Sequence, residues 1–88
     1  MVYRIELKPS AIKSLAEVPQ PHRRRIGKKI DGLAKTPRPR GVEKLAGQDS
    51  LYRIRVGDYR VIYRIHDDAL LILVVRVGGR GDVYRHLP

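Results

Sequence analysis

Cysteine is absent from this chain of 88 residues, which removes disulfide cross-links and thiolate metal sites. Acidic residues are scarce: nine Asp plus Glu stand against nineteen Lys plus Arg, with only three His beside them. So few acids and imidazoles argue against a structural zinc or calcium cage, and no metal or other cofactor is expected. Long apolar stretches are missing as well. Met1-Val2-Tyr3-Arg4-Ile5-Glu6 has no signal-peptide core, and the longest apolar run, Ala69 to Val75, is far too short to span a bilayer. Neither repeats nor low-complexity tracts are found. The expectation is one reduced, cytoplasmic domain over residues 1–88 with a modest core. What the chain holds in excess is positive charge, formally +10 with His neutral. Like charges on so small a body repel, so a polyanionic partner is expected, nucleic acid first and an acidic protein second.

Periodicity divides the chain into a few elements. Val2 to Leu7 alternates as a half-buried strand. Pro9-Ser10 supplies a helix start, with Ile12, Leu15 and Ala16 on one face, and Val18-Pro19 closes that helix. A second helix is predicted from about Pro21 to Lys35. It sets Ile26, Ile30, Leu33 and Ala34 on one face, among Arg23, Arg24, Arg25, Lys28 and Lys29. Gly27 and Gly32 each cost it roughly 1 kcal/mol, so tertiary packing must hold it. Thr36 to Ser50 reads as a long connection pinned by Val42 and Leu45. Three strands follow, Leu51–Val56, Tyr59–His66 and Ala69–Val77, joined by Gly57-Asp58 and Asp67-Asp68 as two-residue turns, with a last extended stretch around Val83–Arg85. The reading is α+β, in the order β-α-α-β-β-β, with a helical hairpin packed on a small antiparallel sheet.

A turn at Gly57-Asp58 has a chemical consequence. It sets Val56 against Tyr59, Arg55 against Arg60, Ile54 against Val61 and Arg53 against Ile62, and opposed residues share a face. One face then carries Tyr52, Ile54, Val56, Tyr59, Val61 and Tyr63 and reads as core. The other carries Arg53, Arg55, Arg60 and Arg64 around Ile62. Like charges directly opposed are destabilising unless an anion sits between them. The choice of base sharpens the point: up to Leu45 the chain uses six Lys and six Arg, and after it seven Arg and no Lys. Guanidinium matches phosphate as a planar fork, which ammonium cannot. A solvated strand face would also carry arginines, but the set of Arg53, Arg55 and Arg60 favours an anion site. Beyond the last core strand, Val77-Gly78-Gly79-Arg80 and Tyr84 put a tyrosine among arginines, the composition of a single-strand binding surface.

Leu51-Tyr52-Arg53-Ile54-Arg55-Val56-Gly57-Asp58-Tyr59-Arg60-Val61-Ile62-Tyr63, then Val77-Gly78-Gly79-Arg80 and Val83-Tyr84-Arg85, resembles the RelE/ParE toxin superfamily, and its RelE branch more closely. The resemblance runs over nearly the whole chain. It implies a RelE-like fold and the toxin of a type II toxin–antitoxin pair that cleaves mRNA in the ribosomal A site. The implied chemistry is attack of a ribose 2′-OH on the adjacent phosphate, leaving a 2′,3′-cyclic phosphate and a 5′-OH. Carried over by motif, the catalytic set is Arg53, Arg55, Arg60, Arg80 and Tyr84. Arg60 and Arg80 would stabilise charge, and Tyr84 would hold the strand for in-line attack. Arg53 and Arg55 stand where the family often has lysine; a guanidinium sheds no proton near neutrality, so they read as phosphate binders and not as bases. Gly79 stands where the family often has His or Lys. For the proton acceptor, His66, His86 and Asp82 remain open. Arg23, Arg24, Arg25, Lys28 and Lys29 are expected to meet rRNA phosphates. The implied partners are a cognate antitoxin, the ribosome and mRNA, with no membrane and no small-molecule ligand. The rival readings are a ParE-like gyrase inhibitor and a catalytically weak co-repressor on the same fold.

Overall fold

The computed structural model describes residues 2–45, 47 and 50–79. Strand β1 (Arg4–Leu7) passes through Lys8 into helix α1 (Pro9–Ala16), and helix α2 (Gln20–Gly32) follows. Each helix has a proline in its first turn, where a missing N–H breaks no intrahelical bond. Then come a two-residue strand β2 (Glu43–Lys44) and the longer β3 (Leu51–Val56), β4 (Tyr59–His66) and β5 (Leu71–Gly79). The sheet order is β1-β5-β4-β3-β2. The α+β order expected from the sequence holds, with two differences in the sheet. β2 adds a fifth strand, and β1 runs parallel to β5, Arg4 facing Leu71 and Leu7 facing Val74, so the sheet is mixed and not antiparallel throughout. A tight hairpin forces its two strands antiparallel. β1 and β5 are separated by every other element, so no turn dictates their direction.

The helices cover one face of the sheet. Ile26, Ile30 and Leu33 of the second helix and its end meet Tyr52, Ile54, Val61, Tyr63, Ile65, Ile72, Val74 and Val77, all buried. Burial of this stripe is what holds a helix weakened by two glycines. α2 ends at Gly32 rather than Lys35, because Leu33, Ala34 and Lys35 donate to carbonyls three residues back and tighten the last turn. In α1 the buried residue is Ala11, while Ile12 is 56% exposed. Leu15, one turn on from Ala11, is half-buried, so the inward stripe is rotated from the expected one; a small side chain lets the helix approach β5 closely. Val42 and Leu45 pin the long connection as expected, Val42 on the helix side and Leu45 on the other.

The β4–β5 connection also departs from the two-residue turn. Asp67–Ala69 form a 3-10 turn and Leu70 takes φ 51°, so His66 pairs with Leu71. Asp-Asp is poorly suited to a primed turn that needs positive φ, and Asp67 is engaged elsewhere. Its carboxylate accepts from the Tyr3 hydroxyl at 2.6 Å and from both Arg38 Nη atoms at 3.3 and 2.8 Å. Arg38 Nε in turn donates to the Tyr52 hydroxyl at 3.2 Å, and the Tyr63 hydroxyl donates to the Pro37 carbonyl at 2.8 Å. These bonds fasten the connection after α2 to the sheet end opposite the Gly57-Asp58 turn.

Arg38 first, and Tyr3 second, hold the Asp67 carboxyl below its ordinary value. A depressed folded value contributes stability that is fully present above the ordinary value of 3.8 and is lost as pH falls through the folded one. Asp67→Asn is therefore expected to melt below the wild type near neutrality, with the gap closing in acid. Thermal melts from about pH 7 down to about pH 2 measure that convergence; a constant gap would show that the carboxylate charge is irrelevant.

Candidate active site

The Gly57-Asp58 turn forms as the sequence predicts. Of the two turn residues Gly57 alone takes positive φ, 62°, as a type II′ hairpin turn requires at its first central residue. The register is the expected one: Val56 to Tyr59, Arg55 to Arg60, Ile54 to Val61 and Arg53 to Ile62. Arg55 and Arg60 are thus directly opposed on the face away from the helices.

On the other side of β4 the pairing meets a bulge. Ile62 pairs with Arg76 but Tyr63 with Val74, so Val75 and Arg76 together oppose one residue. The bulge shifts the phase of β5: Val74 and Val77 face the helices, while Val75 joins Leu51, Ile62 and Leu45 in a second apolar cluster. Ile62, expected on a polar face, is fully buried there. The same shift places Arg76 on the arginine face, its Nε buried and without a hydrogen-bond partner among the described residues. Strict alternation from Ile72 and Val74 would have sent Arg76 into the core, which is the one sequence signal of the bulge.

Gly78 and Gly79 complete the arrangement. Gly78 is the β5 partner of Arg60 and Gly79 the partner of Tyr59, so neither has a side chain directly opposite it on β5. The result is an open cleft of about 710 Å³ at the end of the hairpin, lined by His22, Arg55, Gly57, Asp58, Tyr59, Arg60 and Gly79. Its volume lies within the roughly 300–1,000 Å³ of ordinary ligand sites. The Arg25 guanidinium lies beside Gly57, 3.4 Å from where a Cβ would stand there.

The residues singled out by sequence therefore separate into groups. Arg55 and Arg60 meet in the cleft and Arg25 reaches its rim. Arg53 lies one row away, its Nη2 2.5 Å from Glu43 Oε2 on β2, an ion pair that tethers it. Arg23 donates to Gln20 and, at 3.2 Å, to the Ala16 carbonyl at the end of α1, clasping the helical hairpin. Arg24, Lys28 and Lys29 stay exposed on α2, the two lysines beside a small groove with Gly32, Leu33, Thr36 and Pro39. Arg80, Asp82, Tyr84 and His86, and the extended stretch at 83–85, lie outside the described residues. His66 ends β4 at the far side of the sheet from the cleft. Sequence reasoning missed His22, Glu43 and Arg76, because each is brought to the site by a pairing or packing between distant segments. Among the described residues no cluster of three His, Cys, Asp or Glu is placed to hold a metal ion, and no helix is long and apolar enough to cross a membrane.

This architecture is that of known toxins. The RelE–RelB complex from Pyrococcus horikoshii OT3 superposes with a TM-score of 0.81 at 37% identity, covering 92% of this chain and 98% of that one. The intact RelBE complex of Escherichia coli superposes at 0.78 with 25% identity, covering 88% of this chain and 95% of that one. In sequence, the mRNA interferase toxin RelE of E. coli K12 is 27% identical over 88 residues, covering 96% of this chain and 92% of that protein. The family model described as the ParE toxin of type II toxin–antitoxin systems matches residues 5–84. The chain belongs to this RelE/ParE family of toxins, in its RelE-like branch.

Proposed function

We propose that the protein is the toxin of a type II pair and an endoribonuclease that cuts mRNA in the ribosomal A site. The observation that carries this is the Arg55–Arg60 pair, opposed across two strands at the mouth of an open cleft. Two arginines at directly opposed positions of one sheet face repel, and a bound phosphate converts that repulsion into two charge-assisted contacts. In the reaction a ribose 2′-oxygen attacks the adjacent phosphorus, the bond to the 5′-oxygen breaks, and the phosphate passes through a more highly charged state. Arg60 stabilises that charge, Arg55 binds the phosphate and favours an ionised 2′-oxygen, and Arg53 on its Glu43 tether adds to the field. By motif similarity Arg80 shares the phosphate and Tyr84 stacks on a base. The partners are a cognate antitoxin, as RelB is to the RelE structures, together with the ribosome and mRNA in the cytoplasm.

Mapping of 5′ ends after brief induction tests the activity. New ends within codons of translated mRNAs are expected; intact mRNA together with DNA damage would give the protein to the gyrase-inhibiting reading.

The basic face of α2 docks the toxin on rRNA. Its first turn holds no acid, an arrangement that opposes the helix dipole and serves anions instead. Because Arg23 is already engaged, the three arginines are not equivalent. Arg24→Gln and Arg25→Gln are each expected to reduce the slope of log affinity against log salt by about 0.7–0.9. Arg23→Gln is expected to change it least and to loosen the helical hairpin instead. Ribosome-binding titrations at several salt concentrations measure the order.

A further inference from the structure

We infer that His22 and Tyr59 form a nucleobase-stacking site beside the Arg55–Arg60 pair, a reading that rests on the proposed action on RNA. Their rings lie 5.3 Å apart, centroid to centroid, inclined at 40°. Both line the same cleft as the two arginines. They arrive there from separate parts of the fold, His22 from the first turn of α2 and Tyr59 from the start of β4.

Two observations separate this from an ordinary packing contact. His22 is exposed, so its ring contributes little to the core. Tyr59 is half-buried, its inner side packed on the helix-side core, and its β5 partner is a glycine, so no side chain stands directly across from it on β5. Two aromatic rings lining the same cleft as two arginines suit a ligand with both a ring and a phosphate.

The strand geometry says how such a ligand lies. Tyr59 and Arg60 are consecutive on β4 and point to opposite faces of the sheet. The cleft wraps the hairpin end and reaches both. A nucleotide with its phosphate on Arg55 and Arg60 would turn its base round that end onto His22 and Tyr59. Such a base is unstacked from its neighbours, which frees the adjoining ribose to rotate into line with the phosphorus. His22 is a positioning and base-reading residue in this scheme; the proton on the 2′-oxygen goes elsewhere.

Stacking of one base on one aromatic ring is worth roughly tenfold to hundredfold in affinity. The direct probe is a short single-stranded RNA with one 2-aminopurine, whose fluorescence is quenched on stacking. The wild-type toxin is expected to quench it, His22→Ala to bind it at least tenfold more weakly, and His22→Phe to restore quenching. His22 is exposed, so neither substitution threatens the fold. In cleavage of ribosome-bound mRNA, His22→Ala should lower the rate and flatten the base preference at the cut, and His22→Phe should recover both. Equal quenching by wild type and His22→Ala, or none by the wild type, overturns the site. Failure of His22→Phe to recover cleavage also overturns it, since a phenyl ring stacks but carries no proton. A wild type that quenches through His22 yet cuts no mRNA would retain the base site and remove the nuclease reading.

Discussion

Arg60→Ala is expected to lower the rate of mRNA cleavage by roughly 10²–10³-fold while the protein stays folded. Arg60 sits at the open end of β4, opposite Arg55 and beside the bare backbone of Gly78. It lines the cleft beside Arg55, and no ion pair joins it to an acid among the described residues. Removing it takes away the donor facing the phosphate as negative charge builds. The same change relieves a like-charged pair, so the melting temperature is expected to hold or rise slightly. Arg60→Lys keeps the charge but loses the planar fork, and an intermediate rate is expected. Single-turnover cleavage on programmed ribosomes, read beside a thermal melt, measures both quantities. A folded Arg60→Ala protein that cuts at the wild-type rate would sink the mechanism.

The second large effect is on stability. Tyr63 is fully buried among residues of both helices and the sheet, and its hydroxyl reaches out to the Pro37 carbonyl. Burial pushes the phenol well above its ordinary value, so it stays a neutral donor at any working pH. Its ring lies 6.0 Å from that of Tyr52, within the range of favourable aromatic pairs. Tyr63→Phe keeps the ring and loses the bond, at a cost of about 1 kcal/mol. Tyr63→Ala also leaves a cavity, at a cost of about 3–5 kcal/mol. A domain of 88 residues has about 4–13 kcal/mol in all, so the alanine variant is expected to lose roughly a quarter of it or more. Urea titration should show a lower midpoint with an unchanged slope; a cost for Phe as large as for Ala would mean that the hydroxyl, and not the ring, holds this junction.

The sheet shows which parts of such a chain can be read in advance. The Gly57-Asp58 hairpin was legible residue by residue, because a two-residue turn and period-two alternation together leave one register. The stripe on α2 was legible because Ile26, Ile30 and Leu33 are large and regularly spaced. The face of α1 was not: Ala11 carries little apolar signal, and its value lies in how closely it lets the helix approach. The bulge at Val75 was hidden because alternation assumes an unbroken ladder. Glu43 looked like a linker residue, since a strand of two residues has no periodicity to read.

Sequence alone determined the charge, the kinds of element, the central hairpin and the opposition of Arg55 and Arg60, all of which follow from neighbours along the chain. Tertiary structure alone decided which charges act together. It tied Arg53 to Glu43 and Arg23 to the end of α1, and left Arg55 and Arg60 in a cleft between bare glycines. It also carried His22 across from a helix to stand against Tyr59. Such choices depend on contacts between segments far apart in sequence, set by how the sheet and helices pack.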